Sequence, residues 1–235
     1  MESQMGMLPT RIGKMGALFG LIALFLYPLG ANPQTTDSVK PKTPQQIEHS
    51  KIFEHGDSKL TDAAGDSTAS WDSDIPAYGL SRKDVFAMWV CESDAVVQGK
   101  VASQTSFLTR DEGSVFTDAQ ISITKVFKDN AKLPLKVGQE ITATRAGGAV
   151  RQGNRRLKVT FTSLPDFAVG REYLLFLHFL PSSQDYRATW MMFELRGGLI
   201  YAARNNVVWA RPTGRQDAAE ALADLASAVR AGGRG

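Results

Sequence analysis

Between Glu140 and Asp166 stand five basic residues and no acid: Arg145, Arg151, Arg155, Arg156 and Lys158. Guanidinium and ammonium groups at this density offer charge-assisted hydrogen bonds to carboxylate, sulfate or phosphate oxygens. The stretch Arg151-Gln-Gly-Asn-Arg155-Arg156 reads as an exposed loop. It is either a patch for a polyanion or an ordinary solvated loop. His178 is the only histidine after position 80. Base or metal chemistry there needs partners, and Asp166 or Glu194 could be supplied by the fold. Without them His178 is a core or strand-end side chain. His49 and His55, six apart, fall on different faces of any helix and are expected in solvent. No G-x-S-x-G, H-E-x-x-H, P-loop or paired-cysteine spacing occurs. Catalysis therefore has no signature, and no cofactor or metal is implied.

The chain of 235 residues has room for one ordinary domain and extra segments. A single cysteine, Cys91, rules out an internal disulfide and every multi-cysteine metal pattern. It is expected as a small buried side chain of a helix, with pairing to a second protein as the alternative. Asn32–Leu80 carries four lysines against eight acids, while Ser81–Gly235 carries 21 basic and 15 acidic residues. An acidic leader thus precedes a moderately basic domain. The basic excess is spread over many loops and is mild by the standards of nucleic-acid binders, so no nucleic acid is expected as ligand.

Arg11 and Lys14 precede the apolar run Ala17–Tyr27, which closes at Pro28-Leu29-Gly30-Ala31. This is the pattern of a secretory signal peptide over residues 1–31, cleaved after Ala31. A secreted or periplasmic location follows. If uncleaved, the same segment would be an anchor, the one membrane contact expected. Residues 32–80 are rich in Pro, Gln, Thr, Ser and Asp, and bury too little to offset chain entropy. They are expected to form a disordered acidic linker.

The elements that must position the basic residues lie in 81–231. Ser81-Arg-Lys-Asp84 starts a helix, with Val85/Trp89 and Phe86/Val90 on one face. Asp94–Ala102 alternates as a half-buried strand, and Gly99 inside it marks a bend or a close backbone approach. Asp111-Glu112-Gly113 signals a hairpin. In the long strand that follows, apolar parity flips at Val126-Phe127, which predicts a bulge. Short strands are expected at Gln139–Arg145, from Leu157, at Arg187–Leu195, at Leu199–Ala203 and at Val207–Trp209. Tyr173–Leu180 is too short to span a membrane and suits a strand buried on both faces. A capping box at Thr213–Gln216 opens a last helix running to about Arg230. The expected class is mainly β: a small antiparallel OB-like barrel with an N-terminal and a C-terminal helix, preceded by the linker.

Four blocks occur in order: Ser93-Asp-Ala-Val-Val-Gln-Gly-Lys-Val101, Val126-Phe-Lys128, Leu135-Lys-Val-Gly138 and Gly170-x-x-Tyr-Leu-Leu-Phe176. Together they resemble the netrin-like (NTR) module shared by tissue inhibitors of metalloproteinases, and more closely extracytoplasmic bacterial proteins with the same block order. The resemblance covers about Ser93–Leu180 and implies a five-stranded OB-type barrel. It does not extend to inhibition: the family's amino-terminal zinc-ligating cysteine has no counterpart, since Cys91 lies far into the chain. The function expected is a non-enzymatic extracytoplasmic binding or protein-interaction module, its partner an unknown protein or envelope component. The alternatives are a secreted hydrolase or protease-inhibitor-like protein with a site near His178, and polyanion binding through 151–158. Candidate ligand-binding residues are Arg145, Arg151, Arg155, Arg156, Lys158 and His178.

Overall fold

Tyr173, Leu174, Leu175, Phe176 and Leu177 are each 0% exposed. Side chains of a strand alternate between faces, so five consecutive buried residues require cover on both sides. In the computed structural model, residues 36–37, 40–54, 59–60, 67–71, 82–161, 166–202 and 215–232 are described. The signal-peptide segment, His55, Ser81, the expected strand at 207–209 and Thr213 lie outside them. No helix of the described residues is long and apolar enough to cross a membrane.

The elements run β1 (Thr36–Asp37), α1 (Pro44–Ile52), β2 (Ser67–Trp71), α2 (Arg82–Glu92), β3 (Ala95–Leu108), β4 (Val115–Lys128), β5 (Glu140–Ala146), β6 (Gly148–Gln152), β7 (Arg155–Phe161), β8 (Glu172–Leu180), β9 (Asp185–Arg196), β10 (Leu199–Ala202), β11 (Arg215–Asp217) and α3 (Ala218–Gly232). The protein is mainly β. Seven strands form one sheet in the order β11-β10-β9-β5-β4-β3-β8, with a further antiparallel pairing of β8 and β9. As a whole this sheet is not a closed barrel, because β10 and β11 run on beyond β9. The β5–β9 pairing is parallel; the other neighbours in this sheet are antiparallel. A second sheet has the order β1-β6-β7-β2, in which the leader strands β1 and β2 flank the β6–β7 hairpin in parallel.

Two apolar layers result. Val97 of β3, Tyr173, Leu175 and Leu177 of β8 and Met192 of β9 face a core closed by Val150, Leu157 and Val159 of the β6–β7 hairpin. The alternate residues Val96, Leu174, Phe176, Met191 and Phe193 face Val85, Phe86 and Val90 of α2 and Leu225 of α3. The aromatic rings of Phe86 and Phe193 meet edge-on, with centroids 5.9 Å apart. Burying one such phenylalanine stabilises by about 1.5–3 kcal/mol.

Two irregularities were legible in advance. Along β3 and β4, Val96 pairs with Lys128 and Val97 with Val126, so Phe127 is the extra residue of a bulge. Val126 packs on the first core and Phe127 on the second, which is why parity flips there. At Gly99 a Cβ would lie 2.4 Å from Ile121 Cγ2 and 3.1 Å from the Ser122 carbonyl.

Several expectations need correction. β3 continues through Ser103–Leu108, beyond the strand expected at Asp94–Ala102. Residues 151–158 are not a loop but the hairpin β6–β7, turning at Gly153-Asn154. Cys91 is exposed on α2, not buried. The cap of α3 is Asp217, whose carboxylate accepts the amides of Ala219 and Glu220 at 2.8 and 3.1 Å. Within the supposed linker, α1 is a helix with Pro44 in its first turn and a capping box between Thr43 and Gln46. His49, expected in solvent, is 0% exposed.

Replacing Gly99 by Ala should destabilise the domain by about 1–3 kcal/mol through overpacking. Urea denaturation of Gly99→Ala, Ile121→Ala and the double variant checks the cause. The double variant should lose less than the sum of the singles, because removing Ile121 Cγ2 makes room for the added methyl.

Candidate functional site: a cationic cleft and a buried histidine

The hairpin β6–β7 folds as it does because two residues, Gly153 and Asn154, reverse the chain and Gly153 adopts φ +61°. Its register pairs Arg151 with Arg156 and Ala149 with Lys158. Directly opposed residues share a face, so Arg151, Arg156 and Lys158 point one way. Arg155, one residue from Arg156, points the other way with the buried Leu157 and Val159.

On the cationic side a cleft of about 500 Å³ opens to solvent, lined by Arg145, Arg156, Lys158, Asp166 and Phe167 among others. Arg145 comes from the end of β5 and is only 2% exposed. Its Nε donates to the Ala146 carbonyl at 2.9 Å and Nη1 to Asp166 Oδ1 at 3.3 Å. Burial pulls its pKa below the ordinary guanidinium value, and the Asp166 carboxylate opposes that pull. Asp166 is 58% exposed at the rim, so water screens it while Arg145 beneath is not screened. Lys158 makes no ion pair among the described residues.

Tyr173 sets the far wall. Its hydroxyl donates to the Asp166 carbonyl at 2.9 Å and accepts the Ala168 amide at 3.0 Å, and Phe167 stands edge-on to its ring at 5.5 Å. Burial pushes the Tyr173 phenol up to about 12, so it stays a neutral donor. The floor is a hydroxyl chain. Thr117 Oγ1 donates to the Gly147 carbonyl at 2.7 Å, which leaves Ser106 to donate to Thr117 at 2.8 Å. Both protons are committed, so an anion in the cleft would be held by the cations rather than by the floor. Gly148, with φ +138°, lets the hairpin approach that floor: a Cβ would fall 2.3 Å from Thr117 Oγ1 and 2.6 Å from Ser106 Oγ.

Of the residues expected to bind ligand, the structure therefore brings Arg145, Arg156 and Lys158 to one cleft. Arg151 shares their face but does not line it, and Arg155 is turned away. His178 lies elsewhere, on β8 opposite Arg187 of β9. Its Nδ1 is 3.8 Å from Asp94 Oδ2. Burial lowers its pKa, and Arg187 lowers it further against the opposing pull of Asp94 and Glu92.

A second constellation was not foreseen. His49 Nδ1 lies 3.0 Å from Asp118 Oδ1 on β4, and its Nε2 lies 3.2 Å from Ser183 Oγ in the β8–β9 turn. Hydroxyl, imidazole and carboxylate in that order are the arrangement of a hydrolase triad. Asp185 alters the chemistry, because its Oδ2 stands 3.2 Å from the same Nε2. With a carboxylate at each nitrogen the ring is best satisfied as a two-donor imidazolium. Burial opposes the charge, but the two aspartates overcome it and push the pKa up to about 9. A ring protonated at neutral pH cannot take a proton from Ser183. The assembly is instead a charged latch: with Gln45 donating to Asp185, Phe53 stacked on Phe116 and Ser50 Oγ accepting the Arg110 amide, it fixes α1 to the sheet.

Since the folded-state pKa lies above the ordinary value near 6.5, the latch stabilises fully below that value and less and less as pH rises through about 9. Chemical denaturation at rising pH should show this loss in the wild type, and His49→Gln should remove the pH dependence. His49→Ala, which leaves two buried carboxylates facing each other, should cost about 3–5 kcal/mol at neutral pH.

No family model and no curated protein matches the chain, so what these sites accept is read from their own donors and charges.

Proposed function

We propose that the protein is a non-enzymatic extracytoplasmic binding module of the OB, netrin-like type, which takes an anionic group of an envelope component in the Arg145–Arg156–Lys158 cleft. One observation carries the ligand class: a guanidinium 2% exposed shares a cleft with two more cations, and among the described residues the single carboxylate lining it is the solvent-screened Asp166. Cations held in a partly dry wall attract an anion more strongly than the same charges in water. The OB reading is supported by hydrogen-bonding order. β4 lies between β3 and β5, β5 runs parallel to β9, and β9 pairs with β8, which returns to β3. The four netrin-like blocks fall on β3, on β4, in the β4–β5 connection and at the start of β8. The basic, then apolar, N-terminal segment supports export.

A heparin-like chain serves as the probe, titrated by calorimetry at two salt concentrations. Arg156→Ala/Lys158→Ala should weaken binding about tenfold or more and flatten its salt dependence. Arg155→Ala, one residue away but on the other face, should leave both nearly unchanged. Equal loss in the two variants would mean diffuse attraction rather than a cleft.

A further inference from the structure

Beyond that cleft, a second pocket of about 380 Å³ lies at the junction of β8 and β9 with α2 and the end of α1. Its apolar wall is Phe53, Ala146 and Ala188, and its polar side is His178, Arg187 and Trp89. Three observations set it apart from a packing defect. The Trp89 Nε1–H is buried and has no hydrogen-bond acceptor among the described residues. A buried donor without an acceptor costs about 1–3 kcal/mol, and each such group in a native protein calls for a water, an ion or a ligand. Arg187 is half-buried and makes no ion pair among the described residues. Finally, Arg187 outweighs each of the two carboxylates nearest His178. Of these, Asp94 is engaged by the Phe179 amide at 2.8 Å. The remaining lining hydroxyl, Thr189, is turned to its own strand: it accepts the Met191 amide and donates to the Met191 carbonyl, both at 3.2 Å. The pocket therefore holds no activated nucleophile. It offers donors and an apolar wall.

We propose that this pocket binds a small monocarboxylate with an apolar or aromatic tail. The carboxylate sits at Arg187 beside His178, and the tail lies against Phe53, Ala146 and Ala188. A guanidinium suits a planar carboxylate, which it can grip with two parallel hydrogen bonds. Phosphate would suit the charge but leave the apolar wall wetted. His178 adds a dependence on pH. The ring is faced by Arg187 from β9, by Asp94 at the start of β3 and by Glu92 at the end of α2. The first and the ring's burial outweigh the acids and hold its pKa below the ordinary value. An arriving anion reverses the balance, so binding takes up a proton and strengthens as pH falls.

The test uses the full chain labelled with nitrogen-15 and benzoate as probe, with benzamide as the uncharged isostere. Of the four tryptophans, the one whose indole cross-peak vanishes in Trp89→Phe is the reporter. Benzoate should move that peak saturably and benzamide should bind much more weakly. Arg187→Gln should weaken benzoate about tenfold or more. Affinity should rise between about pH 8 and pH 5.5, and His178→Gln should keep binding but lose that rise. Arg156→Ala, which alters only the other cleft, should change nothing here. An unmoved indole peak, equal binding of benzamide, or full affinity in an Arg187→Gln protein that keeps its backbone spectrum would each overturn the assignment.

Discussion

Burial of β8 on both faces is the constraint on which the other parts depend. A strand with one wet face tolerates a single layer behind it, whereas Tyr173–Leu177 demands two. One layer is supplied by the basic hairpin and the interior of the large sheet, the other by α2 and α3. Both candidate sites sit at the limits of this double cover. The cationic cleft lies where the hairpin meets β3, β4 and β5, and the second pocket lies where α2 and the end of α1 meet β8 and β9. Tyr173 belongs to the core by its ring, and its hydroxyl holds the backbone of Asp166 and Ala168 on either side of the cleft-lining Phe167.

The strand pattern was readable because alternation and its interruption are local signals. Gly99 and the parity flip at Phe127 each reported a backbone event within a few residues of itself. Adjacent charges were less readable. Arg155 and Arg156 are one patch in a list of residues and two opposite faces in a hairpin, and only the knowledge that 151–158 turns at Gly153-Asn154 separates them. The latch was least readable. His49 finds Asp118 across 69 residues and Ser183 across 134, and no spacing rule reaches so far. The signal that was present, Thr43-Pro44-Gln45-Gln46 as a capping box, was masked by the polarity of the helix it opens. That helix has no apolar stripe: its apolar anchors, Ile52 and Phe53, lie at its end, and charge and hydrogen bonds hold the rest. Trp89 of α2 and Arg187 of β9 likewise line one pocket only through the fold, Arg187 being placed opposite His178.

The latch also explains how an acidic, weakly apolar segment can be ordered at all. One buried imidazolium between two carboxylates imposes strict geometry: the helix has one seat on the sheet, and neither a shifted nor a flipped one would satisfy both nitrogens.

The leader strands add a feature of another kind. β1 and β2 occupy the two outer edges of the β6–β7 hairpin, each in parallel. Hairpin edges are rows of unpaired amides and carbonyls that invite other chains to join them. During synthesis these leader strands emerge first, yet their docking sites emerge more than a hundred residues later for β1 and nearly as many for β2. Until the hairpin exists they have nothing to guard, and until they arrive the hairpin is open on both sides. The hairpin's outer edges are thus met by strands made long before it, over two residue pairs at β6 and five at β7.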